Sequence, residues 1–111
     1  MKGFFNFNQS LIQRIACKDE VDREILQQLF EAGSLGMLPK DLQLKLDRFK
    51  VTRHQISRRI LKMNKRMEKE FGEQVAEKRG WRWALTTFVI ESWHNTEIDI
   101  ETNSSETKID L

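Results

Sequence analysis

The sequence predicts a mainly α-helical domain that is completed by a small β-hairpin, an α+β fold. Residues 4–71 contain four segments in which apolar side chains recur three or four positions apart, as they do in amphipathic helices. After Gly72 the apolar positions alternate, and β-branched and aromatic residues become frequent, which is typical of strands. Charge follows the same division, because residues 50–83 carry eleven basic and four acidic side chains, a net charge of +7.

The chain of 111 residues is long enough for one domain, and its 39% hydrophobic content supports one modest core. We divide it into an N-terminal amphipathic helix (1–18), the main domain (19–95) and a disordered acidic tail (96–111). A single cysteine, Cys17, excludes an intramolecular disulfide and indicates a reducing compartment. With no signal peptide and no apolar run of membrane-spanning length, the sequence predicts a cytoplasmic protein without a membrane partner, associated with the nucleoid if prokaryotic.

The first predicted helix extends from Phe4 to about Cys17. Its apolar stripe consists of Phe4, Phe7, Leu11 and Ile15. This stripe either packs on the core of the domain or forms the interface of a homodimer. A membrane-surface helix is disfavoured, because the polar face has few basic residues.

The next two helices are bounded by residues that favour helix ends. The second spans about Asp19 to Ala32, with carboxylates in its first turn and Gly33 as its C-terminal cap. Residues 34–38 form a connector or a very short strand. The third helix begins at Pro39, which suits a first helical position, and ends near Arg48.

The fourth helix has the clearest boundaries. Thr52 and Gln55 form a predicted capping box, and Gly72 ends the helix. One continuous buried stripe lies between them: Ile56, Ile60, Met63, Met67 and Phe71.

The hairpin is predicted from a strand over 73–79, a turn at Gly80 and a β-rich run over 82–90. Alternation places one set of side chains on a common face: Trp81, Trp83, Leu85, Thr87 and Val89. Trp83 and Leu85 are predicted to be core residues. Trp81, at the turn, either packs on the hairpin or contacts a ligand.

Two short helices joined by a tight turn, the second of them basic, form a helix-turn-helix, and the basic hairpin that follows corresponds to a wing. Three stretches carry this pattern: residues 38–42, 51–60 and 78–86. The chain resembles the winged helix-turn-helix superfamily of DNA-binding transcription regulators. Residues 56–86 are also similar to the DNA-binding domain of LysR-type regulators, although this chain has an extra helical turn before Gly72 and no room for their effector domain.

The resulting prediction is a non-enzymatic, sequence-specific regulator that binds double-stranded DNA with the helix over 52–71 in the major groove and the wing over 74–90 on the adjacent backbone or minor groove. Arg58 lies at the centre of the exposed helix face and is expected to contact a base, whereas the lysines further along are expected to contact phosphates. The predicted DNA-binding residues are Arg53, His54, Gln55, Ser57, Arg58, Lys62, Lys65, Arg66, Lys78, Arg79 and Arg82. Leu61, which lies off the buried stripe, either packs on the first helix or contacts a thymine methyl group.

Other interpretations remain open at this point. The basic face is also compatible with a plain solvated surface, with sequence-tolerant DNA coating, or with a winged-helix module for protein–protein interaction in a transcription or replication assembly. No catalytic group, metal site, cofactor or small-molecule ligand is predicted, because His54 and His94 lie in different elements and no phosphate-binding loop is present. Without a sensor domain, control is expected from abundance, a partner or Cys17.

Overall fold

The helices predicted from the apolar stripes form the core of the protein. The structure, a computed structural model, describes residues 8–93. In chain order its elements are α1 (Gln9–Ala16), α2 (Glu20–Ala32), α3 (Pro39–Lys45), α4 (Arg53–Phe71), β1 (Ala76–Arg79), β2 (Arg82–Leu85) and α5 (Thr87–Trp93), with short 3-10 turns at Gly33–Leu35 and Asp47–Phe49. The predicted class, mainly helical with one antiparallel hairpin, is confirmed. Phe4, Phe7 and the predicted tail over 96–111 lie outside the described residues.

Helix α4 lies at the centre of this arrangement and packs against α1, α2 and α3. Its predicted stripe is correct, since Ile56, Ile60, Met63 and Met67 are fully buried and Phe71 is partly buried. Burial of these side chains supplies the main driving force for docking the other helices on α4. None of the helices within residues 8–93 is long and apolar enough to cross a membrane.

Helix α1 differs from its prediction in the face that it buries. Asn8 caps the helix, its side chain accepting a hydrogen bond of 2.9 Å from the Leu11 backbone N–H. Ile12 and Ala16 are fully buried, whereas Leu11 and Ile15 are only partly buried. The stripe is therefore rotated by about one residue, because the side chains of Phe4 and Phe7, outside the described part, defined the predicted face.

The connection between α3 and α4 is longer than the predicted tight turn. Helix α3 ends at Lys45 rather than near Arg48, because the chain tightens into the 3-10 turn Asp47–Phe49. Lys50 then adopts the left-handed conformation, with φ of 56°. The capping box is confirmed: Thr52 Oγ1 accepts from the Gln55 N–H at 3.1 Å, and Gln55 Oε1 accepts from the Thr52 N–H at 2.9 Å.

The hairpin is fixed to the helices at two places. Buried Asn64 on α4 bonds the backbone of Val75 and Ala76 at 2.8–3.0 Å, so regular strand pairing begins at Ala76 rather than at residue 73. On the other side, Met37 and Trp83 exchange backbone hydrogen bonds of 2.8 and 2.9 Å. The connector over 34–38 therefore contributes a one-residue bridge to the sheet.

The prediction of a β-strand up to Ile90 is wrong. Strand β2 ends at Leu85, and α5 follows at once, with Thr86 Oγ1 accepting a hydrogen bond from the Val89 N–H at 3.4 Å. Helical spacing carries Val89 and Trp93 into the core, where Trp93 stacks on Phe30 at a ring separation of 5.0 Å. Packing at a spacing of four thus overrides the strand propensity of the segment.

Candidate nucleic-acid interface

The face of α4 opposite the buried stripe is basic and exposed. It carries His54, Arg58, Lys62, Lys65 and Lys69 at helical spacing. None of these five side chains forms an ion pair or side-chain hydrogen bond with another residue in the part of the chain that the structure describes. We name this set of five side chains the outward face.

A second side of α4 carries arginines that are fully engaged. Arg59 pairs with Asp19 and Asp22, with N–O distances of 2.9 Å to each. Arg66 pairs with Asp22 at 3.4 Å and also donates to the Ala16 carbonyl. Asp22 is the common partner, and its side chain is only 2% exposed. We name these four side chains the inward network.

The inward network shifts the pKa values of Asp19 and Arg59. Partial burial alone would raise the pKa of Asp19, but hydrogen bonds from the Asp22 N–H and the Arg59 guanidinium outweigh it and lower that pKa. Burial alone would lower the pKa of Arg59, but the carboxylates of Asp22 and Asp19 raise it. Both groups are therefore held in their charged forms near neutral pH.

An open groove of about 680 Å³ lies beside the N-terminal half of α4, between the inward network and the outward face. We name it the basic groove. Its lining residues are Lys18, Asp19, Asp22, Phe49, Lys50, Val51, His54, Gln55, Arg58, Arg59, Lys62 and Arg66. Lys18 and Lys50 were missed by the sequence prediction, because each lies in a connection where no helical period marks its direction.

The predicted site residues on α4 fall into three groups. Arg58, Lys62 and Lys65, with His54, are free on the outward face. Gln55 is committed to the capping box, and the Nε of Arg53 donates to Gln43 Oε1 at 3.3 Å. Ser57 is partly buried, and Arg66, predicted to contact phosphate, belongs to the inward network.

The hairpin also holds fewer free cations than the sequence prediction assumed. Arg79 donates to Glu77, to the Ser34 carbonyl and to the Leu85 carbonyl at 2.7–3.2 Å, so it braces the hairpin against the connector. Lys78 is exposed, its Nζ 5.1 Å from the Trp83 ring centre, and Arg82 is partly buried. Trp83 and Leu85 are buried as predicted, whereas Trp81 does not pack on the hairpin: it is 81% exposed at the turn.

Cys17 lies on the buried side of the same region, its Sγ 4.0 Å from the sulfur of Met63. Burial, reinforced by the Asp22 carboxylate, raises the pKa of the thiol to about 12. The nucleophilic thiolate is thus almost unpopulated near neutral pH. Within residues 8–93 no group of three or more His, Cys, Asp or Glu side chains is placed to hold a metal ion.

Comparison of the chain with protein-family models, with curated proteins and with solved structures gave no match. The assignment below therefore depends on the geometry of the site.

Proposed function

We propose that this protein binds double-stranded DNA as a winged helix-turn-helix, with α3 and α4 as the helix-turn-helix and the β1–β2 hairpin as the wing. The observation that carries the proposal is the outward face of α4. Its cations have no protein partner within residues 8–93, and they lie opposite the buried stripe on one helix of 19 residues. A solvated surface of mixed sign would have carboxylates among them, but Glu68 and Glu70 occur only near the helix end.

The dimensions and chemistry of α4 fit the major groove. A helix with its side chains is about 10–12 Å wide, close to the width of the major groove of about 12 Å. Arg58, near the N-terminal half, is then placed to donate two hydrogen bonds to guanine O6 and N7. Lys62 and Lys65 lie further along the helix and contact phosphates.

Leu61 and Trp81 supply apolar contacts next to these charges. Leu61 is 53% exposed and lies about one turn from Arg58 and Lys65 on the same helix. A leucine in that position contacts a thymine methyl group when the helix occupies the major groove. Trp81, with Lys78 beside it on the hairpin, contacts the sugar–phosphate backbone or the adjacent minor groove.

Base-specific contact by Arg58 would make the protein sequence-specific, and we therefore propose a role in transcription regulation. The raised pKa of Cys17 disfavours the thiol as a means of controlling this activity, because the thiolate is the reactive form. Control through abundance or a partner remains, including homodimerisation through α1.

The proposal is tested by the salt dependence of duplex binding, followed by selection from a random duplex pool. If about five phosphates are contacted, log K falls with log salt with a slope of about −4 to −5. A selected motif bound at least about a thousandfold more tightly than scrambled duplex supports a specific regulator, and binding without a motif supports DNA coating. Absence of duplex binding at low salt contradicts the proposal and favours a protein-interaction module.

A further inference from the structure

Two lysines of the basic groove lie outside both the recognition helix and the wing of the proposed winged helix. Lys18 belongs to the connection between α1 and α2, and Lys50 to the connection between α3 and α4. Three separate parts of the chain therefore bring cations to one concave surface, the third being α4 with Arg58 and Lys62.

The charge of this surface is only partly compensated by its own carboxylates. Its six Lys and Arg side chains face two carboxylates, Asp19 and Asp22. Both carboxylates are already taken by Arg59 and Arg66. The four remaining cations, Lys18, Lys50, Arg58 and Lys62, have no carboxylate partner among the residues that line the groove, and they form its positive rim.

Lys18 is held at this rim by the inward network. Its backbone N–H donates to Asp22 Oδ2 at 2.9 Å, and the same carboxylate binds the two arginines of α4. The α1–α2 connection is thus attached directly to the flank of α4. An ordered backbone lowers the entropy that the side chain loses on binding a ligand.

Lys50 is fixed by different means. Its left-handed backbone follows the 3-10 turn, and its N–H donates to the Asp47 carbonyl at 3.0 Å. The side-chain ion pair to Asp47, at 3.8 Å, is between groups that are 81% and 78% exposed. Such an exposed pair is weak and screened by salt, so the ammonium is free to exchange to a stronger anion.

We propose that the basic groove binds the sugar–phosphate backbone of one strand of the duplex whose major groove α4 occupies, with Lys18 and Lys50 donating to its phosphates. This rests on the proposed function. The groove and the outward face are continuous, because Arg58 and Lys62 belong to both. A DNA strand that borders α4 in the major groove therefore passes along the groove.

The test uses the full chain with Lys18→Gln, Lys50→Asn and the double variant. Asparagine is chosen at residue 50 because it tolerates the left-handed conformation. The matched control is Arg14→Gln, which also removes one positive charge but lies on α1 and does not line the groove. Thermal melts establish that all variants fold.

Each single groove variant is expected to weaken duplex binding about fivefold to tenfold at 0.1 M salt and to reduce the salt slope by about 0.9, whatever the duplex sequence. The double variant is expected to reduce the slope by about 1.8. The control is expected to change neither by more than about twofold. Equal losses in the control and the groove variants overturn the inference, because then only net charge matters.

Two further outcomes are distinguishable. If the unaltered protein selects a DNA motif but Lys18→Gln and Lys50→Asn bind as tightly as it does, this inference fails and the proposed function stands; if it binds no duplex, both fail. A competition experiment with sodium triphosphate tests whether the groove binds a free phosphorylated compound instead. Triphosphate binding that depends on Lys18 and Lys50, with duplex affinity unchanged in the variants, assigns the groove to a free phosphorylated compound and overturns the DNA-backbone inference.

Discussion

Arg58 and Arg59 are neighbours in the chain, yet they occupy opposite electrostatic situations. One residue along a helix rotates the side chain by about 100°, so Arg58 lies on the outward face and Arg59 in the inward network. Arg59 has two carboxylate partners at 2.9 Å, and Arg58 has none within the described residues. The same contrast recurs about two helical turns further along α4, between Lys65 and Arg66.

The difference shows that a count of basic residues on a helix overstates its binding surface. The arginines next to α2 form the ion pairs that hold α1 and α2 against α4. On α4, only the cations without an ion-pair partner among the described residues remain for a polyanion. Four predictions test this distinction between the outward face and the inward network, beginning with the largest expected effect.

Asp22→Asn should lower the free energy of unfolding by about 2 kcal/mol, because it leaves Arg59 with Asp19 as its carboxylate partner and leaves Arg66 with no carboxylate partner among the described residues. Urea denaturation measures the change. The control is Asp47→Asn, which removes an exposed ion pair and should cost less than about 0.5 kcal/mol. Equal effects of the two substitutions would show that the inward network does not hold the fold.

Arg58→Ala should cost about 1–3 kcal/mol of binding free energy on the selected duplex and relax preference at one base pair. Arg59→Ala is the matched control: it should lower the melting temperature and leave the base preference unchanged. Affinities for selected and scrambled duplexes, with a melt of each variant, separate the two. If Arg58→Ala weakens both duplexes equally, Arg58 contacts phosphate and the docking of α4 is rotated.

Lys65→Ala should weaken binding to all duplexes about equally and reduce the salt slope by about one. Its thermal melt should match that of the unaltered protein, because the side chain is exposed and unpaired. Arg66→Ala should do the reverse, reducing stability with little change in slope. A melt lowered by both substitutions would remove the distinction between the two sides of α4.

Cys17 should react with iodoacetamide at pH 8 much more slowly than the same thiol in urea-unfolded protein, because the raised pKa leaves almost no thiolate. Mass spectrometry of timed samples gives the two rates. Fast alkylation of the folded protein would show that the α1–α2 junction opens, which the inward network is expected to prevent.

The sequence was most informative where local signals and packing agree. Thr52, Gln55 and Gly72 define α4 by side-chain chemistry within the helix itself, so its limits were predictable. Residues 87–90, the first part of α5, were mistaken for a strand because Thr, Phe, Val and Ile favour strands; the spacing of Val89 and Trp93 was the helical signal.

Long-range pairing accounts for the errors at the site. Arg66 and Arg79 were predicted to contact DNA because their partners are not evident from the sequence. No carboxylate close to Arg66 in the sequence pairs with it. No sequence pattern shows that the side chain of Arg79 reaches the Ser34 carbonyl. Asp22 lies 44 residues from Arg66, and Ser34 lies 45 residues from Arg79. Such partners become visible only when the elements are packed.

Gly36 allows the close contact that restricts movement of the hairpin relative to the helices. A Cβ at this residue would lie 2.4 Å from the Trp83 carbonyl oxygen, so the connector runs in direct contact with β2. Together with the hydrogen bonds from Asn64 on α4 to the backbone at the start of β1, this contact limits movement of the hairpin base relative to α4. The distance between α4 and Trp81 is then fixed by the fold. For a duplex held at both points, it is the nucleic acid that must bend or change its groove width, and sequences that deform easily are favoured at base pairs that no side chain touches.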